Sequence, residues 1–199
     1  MDSHQALKIG VMGSASGPQV DDPVARGKAK VIGTEIGRRG WIFINGACPG
    51  LPHDAMIAAK EAGGFTLGVS PAFSEYEHRN EYLSPLGHDM ILYTGMGFME
   101  RDIINIRSAH AVVIIGGGIG TLNEFTIAYD EGRPIGIVTN SGGISNSIEH
   151  IVVELCKREM PKNLVMNDDP VKLLDELEAV IHQFPMPIHE DGRVPDFRQ

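Results

Sequence analysis

Ala111-Val112-Val113-Ile114-Ile115 runs directly into Gly116-Gly117-Gly118-Ile119-Gly120-Thr121-Leu122-Asn123-Glu124. Five apolar residues in succession, with no polar alternation, describe a strand buried on both faces, as in a parallel sheet covered by helices on each side. The glycines end that strand and let backbone N–H groups approach a ligand closely. A helix is expected over residues 121–131, and its first turn offers unpaired N–H groups and the positive end of its dipole. Such a unit sits at the carboxyl edge of an open α/β sheet, where these folds place their ligands.

The same cycle repeats on either side. Residues 7–12 form an apolar strand entering Gly13-Ser14-Ala15-Ser16-Gly17, and residues 23–39 carry Ala25, Ala29, Ile32 and Ile36 on one helical face before Gly40. Strands follow over 41–44 and 66–69, separated by a loop at 45–51 and a helix over 52–62. Residues 70–87, rich in Pro, Glu, Tyr and His, read as an irregular segment, a lid or a subunit contact. Next come a strand over 89–93, a helix over 99–108, a strand over 135–138, a helix over 148–157 and a short strand at 164–166. Asp168-Asp169-Pro170 opens a last helix running to about residue 183. The sequence therefore predicts a single doubly wound Rossmann-like α/β domain over 1–183, with about seven mostly parallel strands and helices on both faces. Residues 184–199, with three prolines and no periodicity, read as a C-terminal tail or a partner-wrapping arm.

Composition narrows the function. The 17 basic side chains stand against 26 acidic ones, a net charge of −9, which opposes the broad cationic footprint of a nucleic-acid-binding protein while leaving room for a small anion bound locally. Cys48 and Cys156, the only cysteines, are far apart and outside any metal-ligand pattern, so a reduced compartment with neither disulfide nor structural zinc is expected. His78, His88 and His110 also lack ligand spacing and read as surface or core histidines, giving no metal site. No apolar stretch approaches membrane-spanning length and the first residues have no basic leader, so a cytoplasmic location is expected.

The candidate phosphate- or nucleotide-binding residues are Gly117, Gly118, Ile119, Gly120 and Thr121. Gly13, Ser14 and Ser16 after the first strand join them, as does Gly46 after the second beside Asn45; each of these loops also reads as a simple turn. Ser141-Gly142-Gly143, after the sixth strand, is placed to close the same edge. GGGIGT is neither a dinucleotide fingerprint after the first strand nor a Walker loop with its lysine, so neither specificity follows from it. Glu124 reads either as a first-turn helix acid or as a carboxylate able to stabilise a cationic sugar. Arg101 reads as a surface ion pair or as an anion ligand, since its guanidinium stays protonated.

GGGIGTLNE resembles the PGGxGTxxE motif of the LONELY GUY family, within the wider SLOG superfamily historically called lysine decarboxylase-like. Asn45-Gly46-Ala47-Cys48-Pro49-Gly50-Leu51 is similar to that family's GGGxxGLM segment, EAGGFTLGVSPA is similar to its continuation, and Arg101 falls on its arginine. Gly116 stands where the family has Pro, Asp102 where it has Lys, and Pro52 follows Leu51; these departures are closest to the molybdenum-cofactor carrier-like branch. The resemblance implies a homodimer or higher homo-oligomer with a small phosphorylated ligand and no required cofactor. It also implies two functions. One is a nucleoside 5′-monophosphate phosphoribohydrolase with Arg101 and Glu124 catalytic. The other is a non-catalytic carrier or sensor of a nucleotide or of molybdopterin. Pyridoxal-dependent lysine decarboxylation is not expected, because nothing marks a Schiff-base lysine.

Overall fold

The computed structural model describes residues 6–184. Seven strands form one sheet in the order β4-β3-β2-β1-β5-β6-β7: β1 (Lys8–Gly13), β2 (Ile42–Asn45), β3 (Thr66–Ser70), β4 (Met90–Tyr93), β5 (Ala111–Ile115), β6 (Ile135–Val138) and β7 (Leu164–Asn167). Where mostly parallel strands were expected, every pairing is parallel. The chain winds outward from β1 to β4, then returns so that β5 pairs with the other side of β1. That reversal opens a crevice beyond the carboxyl ends of β1 and β5.

Successive side chains of β5 point to opposite faces and all are buried, which accounts for its unbroken apolar run. Ala111, Val113 and Ile115 join a cluster with α1 (Pro23–Arg38), α2 (Leu51–Glu61) and α6 (Pro170–Gln183). Val112 and Ile114 join the opposite cluster, where α4 (Gly97–Ser108) supplies Ile106 and α5 (Ile119–Asp130) supplies Phe125 and Ala128. On the first face α1 and α2 pack backbone to backbone: a Cβ at Gly33 would lie 1.9 Å from the Ala55 carbonyl oxygen, so only glycine permits the contact.

The helix starts follow local chemistry. Asp22 accepts a hydrogen bond from Val24 N–H ahead of Pro23, and Asp169 accepts from Val171 and Lys172 N–H ahead of Pro170. Three expectations need correction. α5 begins at Ile119, so the glycine loop is shorter than its sequence suggests. The helix expected over 148–157 is present over residues 148–155 but is wound as a π-helix over His150–Leu155 and ends earlier. The irregular stretch contains a short helix, α3 (Glu75–Asn80), capped by Ser74 and anchored by His78, which is fully buried and hydrogen-bonded to Ser70 Oγ and the Pro85 carbonyl. Beyond Phe184, the expected tail lies outside the described residues.

Candidate functional site

The glycine loop divides into a structural half and an open half. Gly116 and Gly117 adopt φ of +62° and +101°, and their N–H groups donate to Ser141 Oγ (2.8 Å) and Ser14 Oγ (2.7 Å). Their carbonyls accept from Ser145 N–H and Ile144 N–H at 3.0 Å each. These bonds splice the ends of β1, β5 and β6 together, and Gly13 allows the close approach, since a Cβ there would lie 2.2 Å from the Ile115 carbonyl oxygen. Gly117 is therefore a brace whose donor is already occupied. Ser141, expected to close the site, braces the loop in the same way.

The open half begins at Gly118, the residue before α5, which has no side-chain cap. The N–H groups of a helix's first turn have no partner within the helix. A Cβ built at Gly118 or Gly120 meets nothing within 4 Å, so both border open space. Gly118, Ile119, Gly120 and Thr121 line one wall of a cavity of about 300 Å³, continued by Gly13, Ser14 and Ser16. The facing wall comes from α4 through Phe98, Met99, Arg101 and Asp102, and from the loop after β2 through Gly46 and Cys48. Eight of the nine expected phosphate- or nucleotide-binding residues, together with Arg101 and Glu124, thus line one cavity; Gly117 stands behind it.

Arg101 is 4% exposed, and its guanidinium lies over the bare Cα of Gly46, where a Cβ would come within 1.8 Å of Nη1. Gly46 belongs in the site because it makes room for this arginine. Nη2 reaches Cys48 Sγ at 3.7 Å. Nε lies 3.7 Å from Asp102 Oδ1 and, among the described residues, has no hydrogen-bond partner. A buried cation with incomplete hydrogen bonding is prepared for an acceptor on a ligand.

Asp102 is 5% exposed and accepts a hydrogen bond from Asn123 Nδ2 at 3.1 Å. Burial pushes its carboxyl up, while Arg101 and the Asn123 bond oppose the rise. Glu124 is 8% exposed; burial first and the Asp102 charge second push its carboxyl up to about 8, against the pull of Arg101. Burial thus pushes both acids of this cavity toward their protonated forms, and Asp102 also has the Asn123 donor opposing the rise. Burial also raises the Cys48 thiol, and both cysteines are free. Asp102, Asn123 and Cys48 were not among the residues singled out from sequence as site residues. The available signal was Asn123-Glu124 inside the motif, facing an Arg101-Asp102 pair on the preceding helix.

The fold and site define a doubly wound α/β protein with a cavity at its topological switch point. The chain belongs to the SLOG cluster4 family, whose model matches residues 6–174. It is 30% identical over 105 residues to the cytokinin riboside 5′-monophosphate phosphoribohydrolase of Mycobacterium tuberculosis, covering 52% of this chain and 54% of that protein, about half its length. Its structure is similar to that of the molybdenum cofactor carrier protein from Chlamydomonas reinhardtii, with TM-score 0.70, 28% identity and coverage of 88% of this chain and 99% of that one. The molybdenum cofactor binding protein from the phototrophic bacterium Rippkaea orientalis gives TM-score 0.69 at 25% identity, covering 90% and 99%. Among the described residues no helix is long and apolar enough to cross a membrane.

Proposed function

We propose that the cavity binds a nucleoside 5′-monophosphate and hydrolyses its N-glycosidic bond, releasing a purine base and ribose 5-phosphate. The observation that carries this reading is that two carboxyls, Asp102 from α4 and Glu124 from α5, line one cavity with the open first turn of α5. The phosphate meets the N–H groups at Gly118, Ile119, Gly120 and Thr121, helped by the Thr121 hydroxyl and the helix dipole. The ribose then lies between that anchor and the α4 wall.

Cleavage breaks the bond between C1′ and the base nitrogen and places positive charge on the sugar. Protonated Glu124 delivers its proton to the departing base, as a raised carboxyl does in glycoside hydrolysis. Arg101 and the Asn123 hydrogen bond favour the carboxylate form of Asp102, in which it stabilises the cationic sugar and accepts a proton from the water that adds to C1′. Arg101 supplies donors to the base or a sugar hydroxyl. The step needs no metal or other cofactor. The 30% identity to a phosphoribohydrolase supports this reading.

The second reading is a carrier that holds a phosphorylated pterin or nucleotide without cleaving it. Asp102 in place of lysine, and the similarity to two molybdenum cofactor proteins over nearly their whole length, favour it. The two readings separate in a chromatographic assay of base release from AMP, GMP and IMP, paired with calorimetric binding. The enzyme reading expects Glu124→Gln to keep affinity nearly intact and lower turnover about a hundredfold or more. Tight binding with no base released by the wild type leaves the carrier. Under either reading we propose association of two copies near β4, where Met90, Leu92, Phe98 and Met99 are exposed, to be measured by sedimentation velocity.

A further inference from the structure

A second cavity, of about 440 Å³, lies at the opposite edge of the sheet, where β1, β5 and β6 begin. Its polar lining is Lys8, Arg107, Ser108, His110, Arg133 and His182, and its apolar lining includes Leu7, Ile181 and Phe184. In a chain of net charge −9, three permanent cations here face one carboxylate, Glu131. Arg107 Nε holds that carboxylate at 2.7 Å; Arg133 Nε stands 3.8 Å from its other oxygen and has no hydrogen-bond partner among the described residues. Arg133 Nη1 donates to the Ala109 carbonyl at 2.9 Å, which fixes the guanidinium in place. Lys8 forms no ion pair with the described residues.

His110 adds a donor. Its Nδ1 accepts the backbone N–H of Lys8 at 3.1 Å, so the neutral ring carries its proton on Nε2. Burial, with Lys8 and Arg133 nearby, holds the ring toward that neutral form. The polar wall therefore presents donors in excess of acceptors, and the other wall is apolar apart from His182.

We propose that this cavity is a second ligand site, for a small organic anion whose phosphate or carboxylate meets Lys8, His110 and Arg133 while an apolar body covers Leu7, Ile181 and Phe184. The site lies across the sheet from the Arg101–Glu124 cavity and is independent of what that cavity binds. A planar guanidinium matches the geometry of a phosphate or carboxylate, which is why Arg133 suits the anionic end of such a ligand.

The test is nuclear magnetic resonance of the isotopically labelled full chain, titrated separately with phenyl phosphate, benzoate and inorganic phosphate. Phenyl phosphate and benzoate should each shift Lys8, the His110 ring and the Arg133 Nε–H saturably. Lys8→Gln should weaken that binding about tenfold, the loss of one charge-assisted hydrogen bond. Arg133→Lys should weaken it as well, and Lys8→Gln, which breaks no ion pair, decides the matter if the arginine variant fails to fold. Gly118→Val should leave it unchanged. Inorganic phosphate, lacking the apolar body, should bind here at least about tenfold more weakly, since covering the apolar wall contributes on the order of 1.5 kcal/mol or more. Shifts confined to residues 118–121, an unchanged affinity in Lys8→Gln, or equal binding of inorganic phosphate would overturn the proposal.

Discussion

Replacing Glu124 by Gln probes the proton balance of the cavity through stability, with no ligand needed. Gln preserves the shape of the side chain on α5 and cannot ionise. In the wild type the folded-state carboxyl stands at about 8 against an ordinary 4.5, with burial the main cause and Asp102 the next. Below pH 4.5 the folded and unfolded chains both hold this proton, and the advantage of the neutral form is fully present. Between pH 4.5 and about 8 the unfolded chain is ionised while the folded chain keeps its proton, so stability falls as pH rises through this window. At about 1.4 kcal/mol per pH unit, that interval corresponds to a few kcal/mol. Glutamine has no such slope. The variant should match the wild type near pH 4.5 and exceed it progressively up to pH 8, and about 2–4 °C per kcal/mol for a chain of this size makes the difference several degrees. Scanning calorimetry of both proteins in a pH series measures it. Parallel melting curves across the series would mean instead that Glu124 titrates alike in the folded and unfolded chains.

Three other substitutions separate ligand contact from structure. Gly118→Val should fold normally, since φ is −117° and its Cβ meets open space, yet abolish nucleotide-induced thermal stabilisation by covering the first turn of α5. Gly46→Ala should displace Arg101, whose Nη1 would stand 1.8 Å from the new Cβ; overpacking of about 1–3 kcal/mol should lower the melting temperature, and base release should fall with it. Ser14→Ala leaves the buried Gly117 N–H without its acceptor, which should cost about 1–3 kcal/mol in denaturant unfolding and weaken ligand binding through loss of the brace.

Much of this architecture is legible in sequence because its signals are local. The buried strand Ala111–Ile115 and the Asp169-Pro170 helix start need only a few adjacent residues to be read. His78 and His88 read as scattered histidines without ligand spacing, and both prove to be hydrogen-bonded within the fold, His88 to Asn45 Oδ1 at 2.8 Å. What resisted reading depends on contacts between distant segments. Gly117 looks like an anion donor until Ser14, 103 residues away, is seen to hold its N–H. Gly46 looks like a turn glycine until Arg101 is found against it. Asp102 looks like a lost lysine, whereas its hydrogen bond to Asn123 and its effect on Glu124 make it part of the site's charge balance. The length of α5 was misjudged because Gly120 is a poor helix former, outweighed here by the turn that Gly116 and Gly117 complete before it.

The phosphate of the ligand should sit at the open first turn of α5. A crystal structure of the full-length Glu124→Gln protein with AMP, the substitution preventing turnover, would locate that phosphate. Phosphate oxygens should lie within hydrogen-bond distance of the N–H groups of Gly118, Ile119, Gly120 and Thr121, with the ribose facing Asp102 and residue 124. A phosphate bound elsewhere, with the first turn of α5 facing solvent, would contradict it.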